Sequence, residues 1–318
     1  MRIALVTPAR PGARSGNRHT ALRWAAFLRA AGHRVIVSQH WHPDAQTGMM
    51  LALHARRSHE SIRAFHALFP ARPLLLALTG TDVYRDIRTS AEAQASLEMA
   101  HAFIVLQPGA LRELPRRLRA KTSVVVQSSA TRLRHAPVGG RFRFCVIGHL
   151  REEKDPLRAA AALAHLPRDL PIEVVQLGES LDERLGRAAR AAMRPEPRYR
   201  WLGGLPHWRA LRWLASSHAL VISSRLEGGA NVVSEAIRVG VPVLASRIAG
   251  NVGLLGADYP AYFAVGNEQA LARLMKRAVE DQGFYKLLKR RVARLRPTVA
   301  PQSEARMFLD AVARVTKG

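Results

Sequence analysis

Short, wholly apolar runs alternate with segments of helical period along nearly the whole chain. Ile3–Val6, Val35–Val37, Leu74–Leu78, Phe103–Leu106 and Val124–Val126 contain no polar position, as strands covered on both faces would. Asn17–Ala31 instead places Leu22, Ala25, Leu28 and Ala31 on one helical face, and Gly32 follows where a left-handed residue ends the helix. Helices are also predicted over Ser58–Phe69, Ser90–Ala100 and Pro108–Arg119. Strand and helix in alternation imply βαβ units, hence a parallel sheet buried under helices on both sides.

Periodicity lapses over Ser128–Arg141, where Pro137, Gly139 and Gly140 give the composition of a linker. It then restarts. Strands are predicted at Phe142–Ile147, Ile172–Leu177, Tyr199–Leu202, Ala219–Ile222 and Pro242–Ala245. Helices are predicted at Pro156–Leu166, Leu181–Met193, His207–Ala215 and Asn231–Val239, with a mainly helical tail from Asn267. The expected fold is α/β: two Rossmann-like, doubly wound domains, residues 1–136 and 137–299, facing across a cleft. Ligands in such sheets bind beyond the carboxyl ends of the strands.

Composition narrows the classes. The 318 residues include 49 Lys+Arg against 24 Asp+Glu, a formal net charge of +25. Only six of the cations are lysines, at 121, 154, 276, 286, 289 and 317, which leaves 43 arginines spread over the whole chain. Without a basic block, a zinc-finger spacing or an aromatic-interleaved motif, nucleic acid is not the expected partner; the field suits small anions. A single Cys145 excludes an intramolecular disulfide framework. No uncharged run approaches the ~18 residues of a membrane span, and Arg10 interrupts the first apolar run before it resembles a secretory signal. A cytoplasmic protein without integral membrane association is expected.

The segment with most chemistry is Ser223-Ser224-Arg225-Leu226-Glu227-Gly228-Gly229-Ala230-Asn231-Val232-Val233-Ser234-Glu235. A strand ends there, a glycine turn follows and a helix starts near Asn231, so backbone N–H groups converge as in an anion site. Glu227 and Glu235 border one pocket, and carboxylates accept paired hydrogen bonds from vicinal hydroxyls. A plain strand-turn-helix with a solvated Glu235 fits the residues about as well. Upstream, Gly148-His149-Leu150-Arg151-Glu152-Glu153-Lys154-Asp155 links a strand to a helix through a cationic loop.

Glu-x7-Glu followed by Gly240-Val241-Pro242-Val243 resembles the donor site of GT-B glycosyltransferases of the family-4 type, and the resemblance covers both domains. It implies a UDP-hexose donor as co-substrate, with no resident cofactor and no metal. Glu227 would contact the donor sugar and Glu235 the ribose. Gly228, Gly229, Ala230 and Asn231 would present amides, and Gly148, His149, Arg151 and Lys154 would border the diphosphate. Lys154 matches the family lysine. His149 stands where the family has arginine, which makes Arg151 the substitute cation. The resemblance also implies that a C-terminal helix, about 300–318, packs back on the first domain.

The acceptor is expected in the N-terminal domain, at three strand-to-helix junctions. They carry Gly16, Asn17, Arg18 and His19; Arg56 and Arg57; and Thr81 and Asp82. Arg18 and His19 add donors at a helix N-terminus, an anion cradle. Helix capping by Asn17 or Thr20 and surface ion pairs for Arg56 and Arg57 are the structural alternatives. Gly-Asn-Arg-His-Thr-Ala-x-Arg-Trp-Ala from Gly16, Leu-His-Ala-Arg-Arg-Ser from Leu53, and Leu-Thr-Gly-Thr-Asp-x-Tyr-Arg-Asp from Leu78 narrow the match. Together they resemble the selenosugar synthases of selenoneine biosynthesis. Those enzymes join selenophosphate to the anomeric carbon of a UDP-hexose (UDP-N-acetylglucosamine or UDP-glucose). The resemblance gives Lys154, Glu227, Arg18 and His19 the catalytic roles. A family-4-type transferase acting on a lipid or polysaccharide acceptor, and a nucleic-acid-binding protein on an α/β scaffold, are the rival readings. His40-Trp41-His42-x-Asp44 has metal-ligand residue types but fits a loop or substrate-rim role better. Cys145, within an apolar strand, is expected buried and inert.

Overall fold

The computed structural model describes residues 1–12, 15–80 and 82–317. The chain divides into two units, residues 1–127 with 301–318, and residues 128–300.

In the first unit the elements run β1 (Arg2–Val6), α1 (Gly16–Ala30), β2 (Arg34–Ser38), β3 (Met49–Leu53), α2 (His59–Leu68), β4 (Leu74–Leu78), α3 (Ile87–Thr89), α4 (Ala91–Met99), β5 (Ala102–Val105), α5 (Arg116–Arg119) and β6 (Thr122–Val124). The strands form one sheet in the order β2-β1-β3-β4-β5-β6, and every pairing is parallel. Leu5 lies opposite Val37 on one side and Leu51 on the other. Alternate strand residues feed two cores: Val6, Met50, Leu76 and Phe103 pack with Phe65 of α2, whereas Ile3, Leu51 and Leu75 pack with Trp24 and Leu28 of α1. The chain re-enters this unit at its end, through α13 (Pro301–Lys317), whose Phe308 joins the second core and stacks on Trp24 at 4.6 Å.

The second unit runs β7 (Phe142–Ile147), α6 (Arg158–Leu163), β8 (Ile172–Leu177), α7 (Glu183–Ala192), β9 (Tyr199–Trp201), α8 (His207–Ala215), β10 (Ala219–Ile222), α9 (Asn231–Val239), β11 (Val243–Ser246), α10 (Ala249–Leu255), β12 (Tyr262–Phe263), α11 (Glu268–Glu280) and α12 (Gln282–Leu295). Its sheet has the order β12-β11-β10-β7-β8-β9, again wholly parallel. Both units are thus doubly wound Rossmann-like domains. Cys145 lies fully buried in β7, and burial pushes its thiol up to about 12. Among the described residues no helix is long and apolar enough to cross a membrane.

Three expectations change. The boundary falls at 127/128 instead of 136/137, because the first half of the supposed linker is bonded into the second unit. Ser129, His135 and Ala136 donate backbone N–H groups to the carbonyls of Val299, Val239 and Ala215. The helix expected over Pro108–Arg119 is a 3-10 segment, Pro108–Glu113, and the short α5, separated at Leu114-Pro115. Pro115 has no N–H to continue the ladder and restricts the residue before it. Finally, β3 lies at the centre of the first sheet although no strand is predicted over 49–53. Its Met, Leu and Ala residues suit a helix as well as a strand, so composition alone does not mark it.

Candidate active site

In each sheet the strand order reverses once, between β1 and β3 in the first unit and between β7 and β10 in the second. Connections leave such a point in opposite directions, and open a crevice beyond the strand ends. Most of the described sequence-predicted residues follow the strands at these two places, and Asp82 follows the neighbouring β4.

In the second unit, the loop after β7 forms a 3-10 turn, Glu152–Lys154, ended by Asp155 in the left-handed region (φ 44°). Hydrogen bonds lash it to the loop after β10. Ser223 Oγ donates to the carbonyls of Lys154 (3.2 Å) and Asp155 (2.8 Å), and Arg225 N to Glu153 O (2.8 Å). Lys154 Nζ thereby reaches Glu227 Oε1 at 2.5 Å, with the lysine 23% and the carboxylate 8% exposed. Gly148, Lys154, Gln176, Ser223, Ser224 and Glu227 line one small pocket. Two glycines permit the packing. A Cβ on Gly178 would lie 2.0 Å from Gly148 O, and one on Gly250 would lie 2.2 Å from Glu227 O.

Glu227 is held from behind by a chain of buried polar groups. Ser224 Oγ donates to Glu227 Oε1 (2.6 Å), Ser246 Oγ to Ser224 O (2.6 Å), and Asn251 Nδ2 to Ser246 O (2.9 Å). A buried carboxylate needs such partners, and here they also fix its rotamer. The sequence marked none of these three as functional, since Ser and Asn at element ends ordinarily read as caps.

Glu235 lies on α9, one turn in from Asn231, with Ala230 as the preceding non-helical residue. It is paired with a residue the sequence did not single out: His207, the first residue of α8, whose Nε2 is 2.7 Å from Glu235 Oε1. The carboxylate hydrogen bond raises the His207 pKa against the opposing effect of burial. His149, which stands where the family has arginine, accepts Glu179 N on its Nδ1 at 3.1 Å. Arg151, the cation that precedes the 3-10 turn, is exposed. Gly228 is buried; Gly229 and Asn231 are partly exposed.

In the first unit, Ser15 caps α1: its Oγ accepts Arg18 N (3.4 Å). Asn17 and Thr20 are therefore not the cap, and Thr20 Oγ1 donates back to Gly16 O (2.8 Å). Gly16, Asn17, Arg18 and His19 form the first turn, where N–H groups and the helix dipole favour an anion. The junction after β3 is more constrained than expected. His54 has φ 76°, rare for a side chain with a Cβ, and lies buried near Asp82 (3.9 Å) and Asp86 (3.8 Å). Burial lowers the His54 pKa more than the two carboxylates raise it. Asp82 is fully buried, and its oxygens accept the amides of Ala55 (3.1 Å), Thr79 (3.1 Å) and Gly80 (2.7 Å). It organises the loop and is withdrawn from the acceptor set. Arg56 Nε pairs with Asp86 Oδ2 at 3.0 Å while Arg57 is exposed. Burial would raise Asp86, but hydrogen bonds from Arg56 and Arg85 hold it below the usual carboxylate range. Thr81 lies outside the described residues. Of the His40–Asp44 segment, Trp41 packs edge-on to Phe65 and Asp44 pairs with Arg2 at 3.0 Å, which is structural work.

Solved glycosyltransferases share this fold over nearly the entire chain. HepE of Anabaena, solved with UDP-glucose, superposes with a TM-score of 0.80 at 14% identity, covering 99% of this chain and 100% of its own. Sucrose-phosphate synthase of Thermosynechococcus elongatus gives 0.77 at 15% identity, covering 99% and 98%. The lipopolysaccharide outer core galactosyltransferase WaaB gives 0.72 at 12% identity, covering 99% of both chains. Both domains have their counterpart in these GT-B structures. Residues 127–294, which carry the Lys154–Glu227 pair and Glu235, match the family described as glycosyl transferases group 1. With more than half of its length inside that match, the chain belongs to the group 1 glycosyltransferases.

Proposed function

We propose that this glycosyltransferase is a selenosugar synthase that transfers the hexosyl group of a UDP-hexose to selenophosphate. The observation that carries the donor half is the pair of carboxylates at the second switch point, with Lys154 already seated 2.5 Å from Glu227. Glu227 orients the sugar hydroxyls, Glu235 accepts from the ribose diol, and the Gly228–Asn231 turn offers amides. Lys154, with Arg151, swings to the diphosphate and balances the charge that accumulates as UDP leaves. No resident cofactor or metal is called for; the UDP-sugar is a co-substrate. HepE, of the same fold, was solved with UDP-glucose, which supports a UDP-sugar donor.

The first unit supplies the acceptor half. A small phosphate-bearing anion is matched by the α1 N-terminus with Arg18 and His19, and by Arg57 with the partly committed Arg56. The selenium attacks the anomeric carbon as the bond to the UDP oxygen breaks, and that electron pair leaves on the β-phosphate. Water then cleaves the selenium–phosphorus bond, which yields the 1-selenosugar and phosphate. Selenium is anionic already, so the attack needs no strong general base. The discriminating experiment offers UDP-glucose and UDP-N-acetylglucosamine together with selenophosphate or a sugar lipid, and follows UDP release. Release that depends on selenophosphate supports the proposal. Release with the sugar lipid alone rejects it in favour of a membrane-surface transferase.

A further inference from the structure

The loop that carries Lys154 turns against its own sequence. Asp155 stands before Pro156, and a residue in that position is pushed towards extended backbone. Here it holds φ 44° and ψ 56°, the left-handed region that a residue with a Cβ rarely enters. Among the described residues, Asp155 and His54 are the non-glycine residues with positive φ. Strain of this kind persists only where the surroundings over-determine it, and at Asp155 they do so through its side chain. Arg158, the first residue of α6, closes a fork on the carboxylate, Nε to Oδ2 at 2.8 Å and Nη2 to Oδ1 at 3.2 Å. The third nitrogen of the same guanidinium, Nη1, donates to Glu268 Oε2 at 2.5 Å, on the first residue of α11. The Asp155 and Arg158 side chains are 12% and 18% exposed, so the fork is screened less than a surface ion pair. Glycine would take the same backbone without strain; what aspartate adds is the group that Arg158 grips.

We propose that Asp155 and Arg158 are positioning residues, a clamp that fixes the backbone of this loop so that Lys154 passes between Glu227 and the donor's diphosphate by side-chain rotation. The inference rests on the reading of Lys154 as the diphosphate cation. The fork draws the Asp155 side chain towards the start of α6, and this sets the direction in which the chain leaves Lys154. Ser223 Oγ then meets the carbonyls of Lys154 and Asp155 together. Without the fork, Pro156 favours the return of Asp155 to extended backbone, and the two carbonyls lose their common donor. The ammonium is then spread over more positions, and the diphosphate must order it at a cost in affinity. Arginine suits this work because one planar guanidinium spans both Asp155 oxygens and Glu268, which a lysine ammonium does not do.

The test is a mutant cycle on UDP affinity, measured by calorimetry with the full-length protein and UDP as the probe. Asp155→Gly keeps the left-handed turn accessible and removes the fork, whereas Arg158→Lys removes the fork and keeps the charge. Each is made alone and together with Lys154→Ala. The Lys154→Ala change by itself is expected to weaken UDP binding ~10-fold or more. Each clamp variant is expected to weaken it ~3–10-fold while Lys154 is present and less than about twofold once Lys154 is gone. Residues that act through one group lose their effect with that group. A merely structural clamp would cost the same factor in both backgrounds. That equal loss, or a loss below about twofold with Lys154 present, overturns the inference. The two claims fail separately. If Lys154→Ala binds UDP as tightly as wild type, the reading of Lys154 fails. If Lys154→Ala weakens binding while both clamp variants bind as wild type does, only the clamp fails.

Discussion

The closest contact of the candidate site, Lys154 to Glu227 at 2.5 Å, joins two residues 73 positions apart that the sequence could assign separately but not to each other. On the proposed reading the donor's diphosphate draws the Lys154 ammonium away from Glu227. Lys154→Ala should remove both the leaving-group counter-charge and the partner of a buried carboxylate. A fall in kcat/KM of ~10²–10³, about 2.7–4 kcal/mol, is expected in initial rates of UDP release. A fall below threefold would detach Lys154 from the chemistry. In the sequence Glu227 and Lys154 stand in turns after strands and Glu235 on the helix that follows, and the family resemblance is what singled the three out. His207, Ser224, Ser246 and Asn251 were not legible. They act through partners distant in sequence, and a serine or histidine at an element end has many ordinary uses. Asp82 erred in the other direction, since an acidic residue in a glycine loop reads as a ligand until its oxygens are found on three backbone amides.

At the level of elements, hydrophobic period identified most strands and helices, and failed where local chemistry opposed it. Pro115 divided one expected helix, and β3 hid because Met, Leu and Ala runs suit helix and strand alike. The return of α13 to the first unit is an element-scale property with a definite anchor. Glu304, fully buried, accepts Trp24 Nε1 at 2.8 Å and pairs with Arg23 at 2.7 Å, while Phe308 stacks on Trp24. α1, whose first turn carries Arg18 and His19, is thereby pinned along the side that bears Arg23 and Trp24. Trp24→Ala should cost about 3–5 kcal/mol, read as a lower denaturant midpoint with an unchanged slope. A midpoint within error of wild type would show that α13 does not stabilise the first unit.

Over the whole molecule, the 43 arginines are dispersed, and those at the two switch points are the ones with a chemical reading. Stability should depend on pH through histidines held neutral. Burial lowers His54, and it lowers His135 to about 4, with His135 Nε2 2.9 Å from Ser217 O. A folded pKa below the ordinary 6.5 means that the stabilisation is complete above pH 6.5 and disappears as pH falls through the folded value. For His135 the window runs from 6.5 to about 4 and the loss is on the order of 3 kcal/mol. His207 has the opposite sign, but it is half exposed and contributes little. Thermal unfolding should therefore occur at progressively lower temperature as the protein is taken from pH 7 to pH 4; a stability maximum within that acid window would contradict it. The fold was legible at this scale because each sheet reverses its order where charged, glycine-bearing loops occur. The proposed acceptor rests on resemblance alone, since helix N-termini and arginines suit any small anion. The central claim is thus tested most directly by the mass spectrum of the product formed from UDP-hexose and selenophosphate. A hexose bearing one selenium atom, formed in step with UDP, is the predicted result. UDP released with free hexose, or a product without selenium, would contradict the account.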